Sequence, residues 1–182
     1  MSKPTITAHD LQFELFLTAE QIRERIREMG AALTEQYQGQ NPLFVSILNG
    51  AFIFTADLVR ACEMDCEVSF VKIASYHGLQ SVGKTRTLIG LEDRITDRAV
   101  IVVEDIVDSG RTLSELIPNL EAQAPRSLEI VTLFHKPSAT AYPLRLPHIG
   151  FSIPDKFIIG YGLDYDGLGR NLPDVYQLKG GS

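Results

Sequence analysis

Residues 100–113 read V-I-V-V-E-D-I-V-D-S-G-R-T-L. Four aliphatics run into Glu104 and Asp105, two more apolar residues follow, and then come Asp108, Ser109, Gly110, Arg111 and Thr112. Continuous aliphatic runs suit strands covered on both faces. Adjacent strand residues point to opposite faces, so Glu104 and Asp105 work together only if the strand stops before them. A strand over Ala99–Val103 and a helix over 112–123, opening near Leu113, are therefore expected. Amides at a helix N-terminus, with the Ser109 and Thr112 hydroxyls beside them, form a cradle for a phosphate. Gly110 lets the backbone come close. One loop thus holds a phosphate at its floor and presents carboxylates at its rim. A sugar phosphate fits that division, with the acids accepting from ring hydroxyls or from water on Mg²⁺. An acidic surface loop whose Ser or Thr merely caps the next helix shares this composition. A phosphoacceptor receiver domain also gathers acids at strand ends, but from different strands, whereas here all three lie within five residues.

Outward from this stretch, the rest of the chain alternates strands and helices. Thr18 with Gln21 forms a capping box, and Ile22, Ile26, Met29, Leu33 and Tyr37 then fall on one helical face. Arg23, Glu24, Arg25, Arg27 and Glu28 make the opposite, solvated face. Leu43–Leu48 is a strand that ends in Asn49-Gly50, residues 51–62 an apolar helix, and Val68–Ala74 a second strand. Residues 75–91 have poor periodicity and read as a long mobile loop or a ragged hairpin; loops of that length are functional or disordered. Leu128–Phe134 is a fourth strand and Phe157–Ile159 a short fifth. The order predicts an α/β sheet with parallel pairs, whose ligands bind beyond the carboxyl ends of the strands. Asn49-Gly50, Glu104-Asp105, Lys136 and the segment after Ile159 all stand at such ends.

With 182 residues, 45% hydrophobic and 22% charged, the chain has the size and composition of one globular domain. A net charge of −6 argues against a general nucleic-acid footprint, and an acidic protein that binds an anion calls for a divalent cation. No apolar run approaches the roughly 18 residues of a membrane span, and residues 1–10 lack a signal pattern. Cys62 and Cys66 read as reduced thiols of a cytoplasmic protein.

The stretch V-V-E-D-I-V-D-S-G-R-T-L resembles the phosphoribosyl pyrophosphate signature of the type I phosphoribosyltransferases, and its Glu-Asp pair resembles the 6-oxopurine branch. Leu48-Asn49-Gly50 resembles the short pyrophosphate loop, although family members often carry Lys or Arg in place of Asn49. That loop often includes a cis peptide before this residue. Ser75-Tyr76-His77-Gly78 resembles the start of a flexible catalytic loop. Lys136 and I-P-D-K-F-I-I-G-Y-G-L-D-Y-D at 153–166, with Arg170 beyond, resemble the purine-binding hood.

The resemblance implies a type I phosphoribosyltransferase fold: a central, mostly parallel sheet flanked by helices. It implies a core over about 38–136, a hood from about 1–37 and 137–182, and a catalytic loop over about 75–91. The implied reaction transfers phosphoribosyl from phosphoribosyl pyrophosphate to N9 of hypoxanthine or guanine, yielding IMP or GMP and pyrophosphate. Asp108 would be the general base at N7, and residues 108–112 would hold the 5′-phosphate. Glu104 and Asp105 would address the ribose hydroxyls and Mg²⁺, with Asp164 binding a second Mg²⁺. Lys136 would donate to O6, Phe157 would stack on the base, and the Ile158 carbonyl would accept from a guanine 2-amino group. Leu48, Asn49, Gly50 and Arg170 would meet pyrophosphate, and Tyr76 would ride on the closing loop with Ser75. A homodimer or homotetramer is implied as well. An RNA-binding regulator on the same fold needs a basic face and a uracil pocket, against which the charge and the Lys136/Phe157 pattern speak. Xanthine- and adenine-specific transferases are the rivals among enzymes.

Overall fold

A computed structural model describes residues 3–75, 85–89, 91 and 93–180. Its large sheet has the order β5-β4-β3-β6-β7-β8. Five of these strands are parallel: β3 (Leu43–Leu48), β4 (Glu67–Ser75), β6 (Ala99–Val107), β7 (Ser127–His135) and β8 (His148–Ser152). β5 (Thr85–Ile89) runs antiparallel to β4 at one edge, so part of the irregular 75–91 segment is a hairpin arm.

The aliphatic runs earn their burial on both faces. Phe44, Ala99, Ile101 and Val103 share a core with α1 (Ala19–Tyr37) and α2 (Phe52–Ala61). Leu43, Val45, Val100 and Val102 face the other way, onto α3 (Arg111–Glu121). The expected face of α1 is buried as a set, from Ile22 to Tyr37, and the Thr18–Gln21 capping box is formed, an arrangement worth about 1 kcal/mol. Gly30 fits α1 against α2 because a Cβ there would lie 2.6 Å from the Ala61 carbonyl oxygen. Arg25 ties α1 to β8 by donating to the Ile149 and Gly150 carbonyls, at 2.8 Å each. The large sheet and its helices thus draw on α1 and β8, which lie outside residues 38–136.

A second, antiparallel sheet has the order β1-β2-β10-β9, from Thr5–Ala8, Leu11–Leu17, Val175–Leu178 and Ile158–Ile159. Its small core is Ala8, Phe13, Ile159 and Tyr176. Two expectations are corrected here. The strand expected at Phe157–Ile159 does not extend the parallel sheet; among the described residues its ladder is with β10. The strand expected to stop at Val103 runs on to Val107, because β7 continues beside it and pairs Glu104 with Thr132 and Ile106 with Phe134. No helix among the described residues is long and apolar enough to cross a membrane.

Candidate active site

Because β6 continues through its acids, pleat alternation sorts them. Glu104 follows Val100 and Val102 onto the α3 side. It lines a cavity of about 80 Å³ with residues 106–113, beneath the start of α3. The Glu104 side chain is buried, its Oε2 has no partner, and burial, followed by the charge of Asp105, pushes its carboxyl well above the usual range. Asp105 emerges on the other side, in a cavity of about 290 Å³ lined by Gly50, Asp108, Lys136, Phe157, Ile158, Leu163, Asp164 and Arg170. Burial raises its pKa to about 6, against the lowering effect of the Ile106 amide; Arg170 lowers it and Asp164 raises it by charge. The acids that the sequence placed together at one rim thus serve two adjoining cavities.

The cradle has the expected parts. Gly110 stands at φ +83°, in the left-handed region that favours glycine, and α3 begins at the next residue. A Cβ at Gly110 would lie 2.9 Å from Leu144 Cδ1. First-turn amides of a helix lack intrahelical acceptors, which leaves them to an anion. The Ser109 carbonyl accepts from the Ala141 and Tyr142 amides, and the Asp108 carbonyl from Thr140 Oγ1. The loop is therefore fixed through its backbone carbonyls. Arg111 Nε donates to Glu115 at 3.1 Å, one turn along the helix, so this contact draws its side chain along α3. Thr112, the second residue of α3, is half-buried at the cavity wall.

The larger cavity gathers residues from distant parts of the chain. Lys136, just past β7, is 6% exposed, and its Nζ donates to Asp108 Oδ2 at 3.1 Å and to Asp155 Oδ1 at 3.2 Å. Phe157 is 42% exposed, with its ring 6.2 Å from Phe13 and 5.8 Å from Tyr165. It is not a core residue; an open aromatic face meets the cavity. Arg170 donates to the Gly162 carbonyl at 2.7 Å and pairs with Asp164 at 2.6 Å. The Leu48–Asn49 peptide is cis, as the resemblance implied. Ser75 ends β4, and Tyr76 lies outside the described residues.

Residues 16–166 match the phosphoribosyl transferase domain family. The hypoxanthine-guanine phosphoribosyltransferase of Bacillus subtilis is 37% identical over 172 residues, covering 94% of this chain and 95% of that protein. The chain belongs to the phosphoribosyl transferase domain family. Among solved structures, a hypoxanthine phosphoribosyltransferase from Staphylococcus aureus superposes with a TM-score of 0.87 at 38% identity, covering 91% of each chain. The bifunctional protein TilS/HprT of Listeria monocytogenes is 38% identical over 172 residues, and there the chain spans 26% of the relative's length.

Within this member of the phosphoribosyl transferase domain family, two contacts escaped the sequence. Asp155 shares Lys136 with Asp108, and nothing in its local pattern marks it. Tyr161 donates to Asp57 of α2 at 2.5 Å, which joins the turn after β9 to the helix after the 48–50 loop. Beside this bond, Gly162 at φ +98° packs on that loop: a Cβ there would lie 2.3 Å from the Gly50 carbonyl oxygen. A Cβ on Gly50 itself would lie 1.5 Å from Asp105 Oδ2. Gly50→Ala is therefore expected to displace the Asp105 carboxylate and cost about 1–3 kcal/mol of stability. Thermal melting checks the second effect, and the KM for phosphoribosyl pyrophosphate in the reaction proposed below checks the first. Unchanged values of both would mean that the loop yields freely.

Proposed function

We propose that this chain transfers the 5-phosphoribosyl group from phosphoribosyl pyrophosphate to N9 of hypoxanthine or guanine, releasing pyrophosphate and leaving IMP or GMP. The named activities of the relatives support this reading. The observation that carries it is the Lys136–Asp108 pair, a donor and an acceptor 3.1 Å apart on the wall of one cavity. A 6-oxopurine carries O6, an acceptor, and the N7 proton, a donor, side by side on one edge. Lys136 meets O6 and Asp108 meets N7–H. A 6-aminopurine turns a donor toward Lys136 and loses that match.

The step balances as follows. N9 forms a bond to the anomeric carbon while the bond from that carbon to pyrophosphate oxygen breaks. The leaving group takes the electron pair, and the N7 proton passes to Asp108. Phe157 stacks on the base, and the Ile158 carbonyl takes a guanine 2-amino hydrogen. Residues 108–112 hold the 5′-phosphate through their amides and the Ser109 and Thr112 hydroxyls. Leu48, Asn49 and Gly50 offer backbone groups to pyrophosphate. Arg170 adds a planar fork whose five donors exceed its two contacts with Gly162 and Asp164. Asp105 faces the ribose side, while Glu104 backs the phosphate cradle.

Mg²⁺ fits the donor set. Asp105 and Asp164 are carboxylates on one cavity, close enough for the charge of Asp164 to raise the pKa of Asp105. Among the described residues no group of three His, Cys, Asp or Glu converges as a metal site, whereas Mg²⁺ takes one or two carboxylates, several waters and substrate phosphate oxygens. When bound, it neutralises diphosphate charge between these acids.

The test of base recognition is Lys136→Gln. It keeps a donor and removes the charge, and is expected to cost about 1.5–3 kcal/mol in kcat/KM for hypoxanthine and guanine. Equal kcat/KM in the variant and wild type would remove Lys136 from O6 recognition.

A further inference from the structure

Lys136 is the most buried cation of the cavity, and it answers to two carboxylates. Its side chain is 7% exposed, while those of Asp108 and Asp155 are 54% and 57% exposed. A buried ammonium needs partners, but one would satisfy the charge. The geometry of the second has a separate origin. The Ile153 amide donates to the His135 carbonyl at 2.8 Å, which carries the β7–β8 ladder one rung past Ser152. Pro154, with its fixed φ, then leads to Asp155 opposite the residue after His135, which is Lys136. The Lys136 amide is itself held by the Val107 carbonyl at 2.9 Å. Backbone bonds on three strands thus bring both ends of this ion pair together.

An ammonium has three N–H donors in a fixed tetrahedron. Two are directed to Asp108 and Asp155, so the direction of the third is set. During transfer Asp108 also has to accept the N7 proton, and its hold on Lys136 weakens as it does. We infer that Asp155 is a positioning residue for base recognition: it keeps the Lys136 ammonium aimed at O6 while Asp108 turns to N7. This rests on the transferase reading above. Asp155 does not touch the base, and acts through Lys136 alone.

Steady-state kinetics of Asp155→Ala and Asp155→Asn, with hypoxanthine and with 6-mercaptopurine, test the inference. In Asp155→Ala the hypoxanthine KM is expected to rise about 10- to 100-fold, the scale of one hydrogen bond to a charged group. The KM for phosphoribosyl pyrophosphate stays within about twofold, since no cradle or pyrophosphate contact changes. With 6-mercaptopurine the rise is smaller, because sulfur is a weak acceptor and gains less from an aimed N–H. Asp155→Asn recovers most of the loss, since its amide oxygen still accepts from Nζ. A hypoxanthine KM equal to wild type in Asp155→Ala overturns the inference. So does a matching rise in both substrate KM values, which marks a general distortion, or a defect of equal size for the oxo and thio bases. A wild-type chain that transfers nothing to hypoxanthine overturns the transferase reading itself, and this inference with it.

Discussion

Asp108→Asn is expected to lower kcat by about 10²–10⁴-fold, the usual loss when a general base is removed. Phosphoribosyl pyrophosphate should bind nearly as before. The separation of the two effects follows from how the loop is built. Thr140 Oγ1 holds the Asp108 carbonyl, and the Ala141 and Tyr142 amides hold the Ser109 carbonyl. None of these bonds uses the Asp108 carboxylate, so the cradle keeps its form in the variant. Asparagine also still accepts from Lys136, so O6 recognition survives. What disappears is the site for the N7 proton. Purine analogues with a more acidic N7–H need less help and should show a smaller defect. Turnover within a few-fold of wild type, or a defect that ignores the acidity of the base, would send the proton by another route.

Excess chelator is expected to lower turnover by more than about 100-fold, as befits several kcal/mol of lost charge stabilisation, with recovery on adding Mg²⁺ or Mn²⁺. Asp105 and Asp164 flank the cavity to which the proposed function assigns a diphosphate, and like charges at such range repel strongly where water is scarce. Arg170 offsets this only in part, since Asp164 already pairs with it. Calorimetric titration with phosphoribosyl pyrophosphate should lose its signal in chelator for the same reason. Full activity in metal-free buffer would overturn the assignment of these acids.

Much of the parallel sheet was legible because burial on both faces leaves a direct mark. The runs at Leu43–Leu48 and Ala99–Val103 have no polar face except Ser46, whose hydroxyl accepts from Thr55 inside the core. The cradle was legible because Ser109, Gly110 and Thr112 adjoin one another in sequence. The far end of β6 was not, since Glu104 and Asp105 look like loop residues; only the pairing with β7 makes them strand. The small sheet was overlooked although Leu11, Phe13 and Leu15 alternate with Gln12 and Glu14, a period-two pattern that Phe16 breaks. The place of Phe157–Ile159 was misjudged because a run of three apolar residues fits either sheet, and its partner, β10, is remote. Asp155 shows the same limit: a carboxylate that meets its lysine 19 residues away leaves no spacing to read.

The pairing of β2 with β10 joins residues 11–17 to residues 175–178. On a ribosome adding about 5–20 residues per second, the first of these strands waits for the other for roughly 8–30 s. β1 covers one edge of β2 within that time, being its near neighbour, and the other edge stays bare, as unpaired strands do that invite wrong partners. The wall that carries Phe157 waits as well: Ile158 and Ile159 have their ladder on β10, and the Phe157 carbonyl accepts from the Leu178 amide. In the nascent chain, therefore, the 108–112 loop, whose carbonyls are held by residues up to Tyr142, is complete about 2–7 s before the wall that is built on β10.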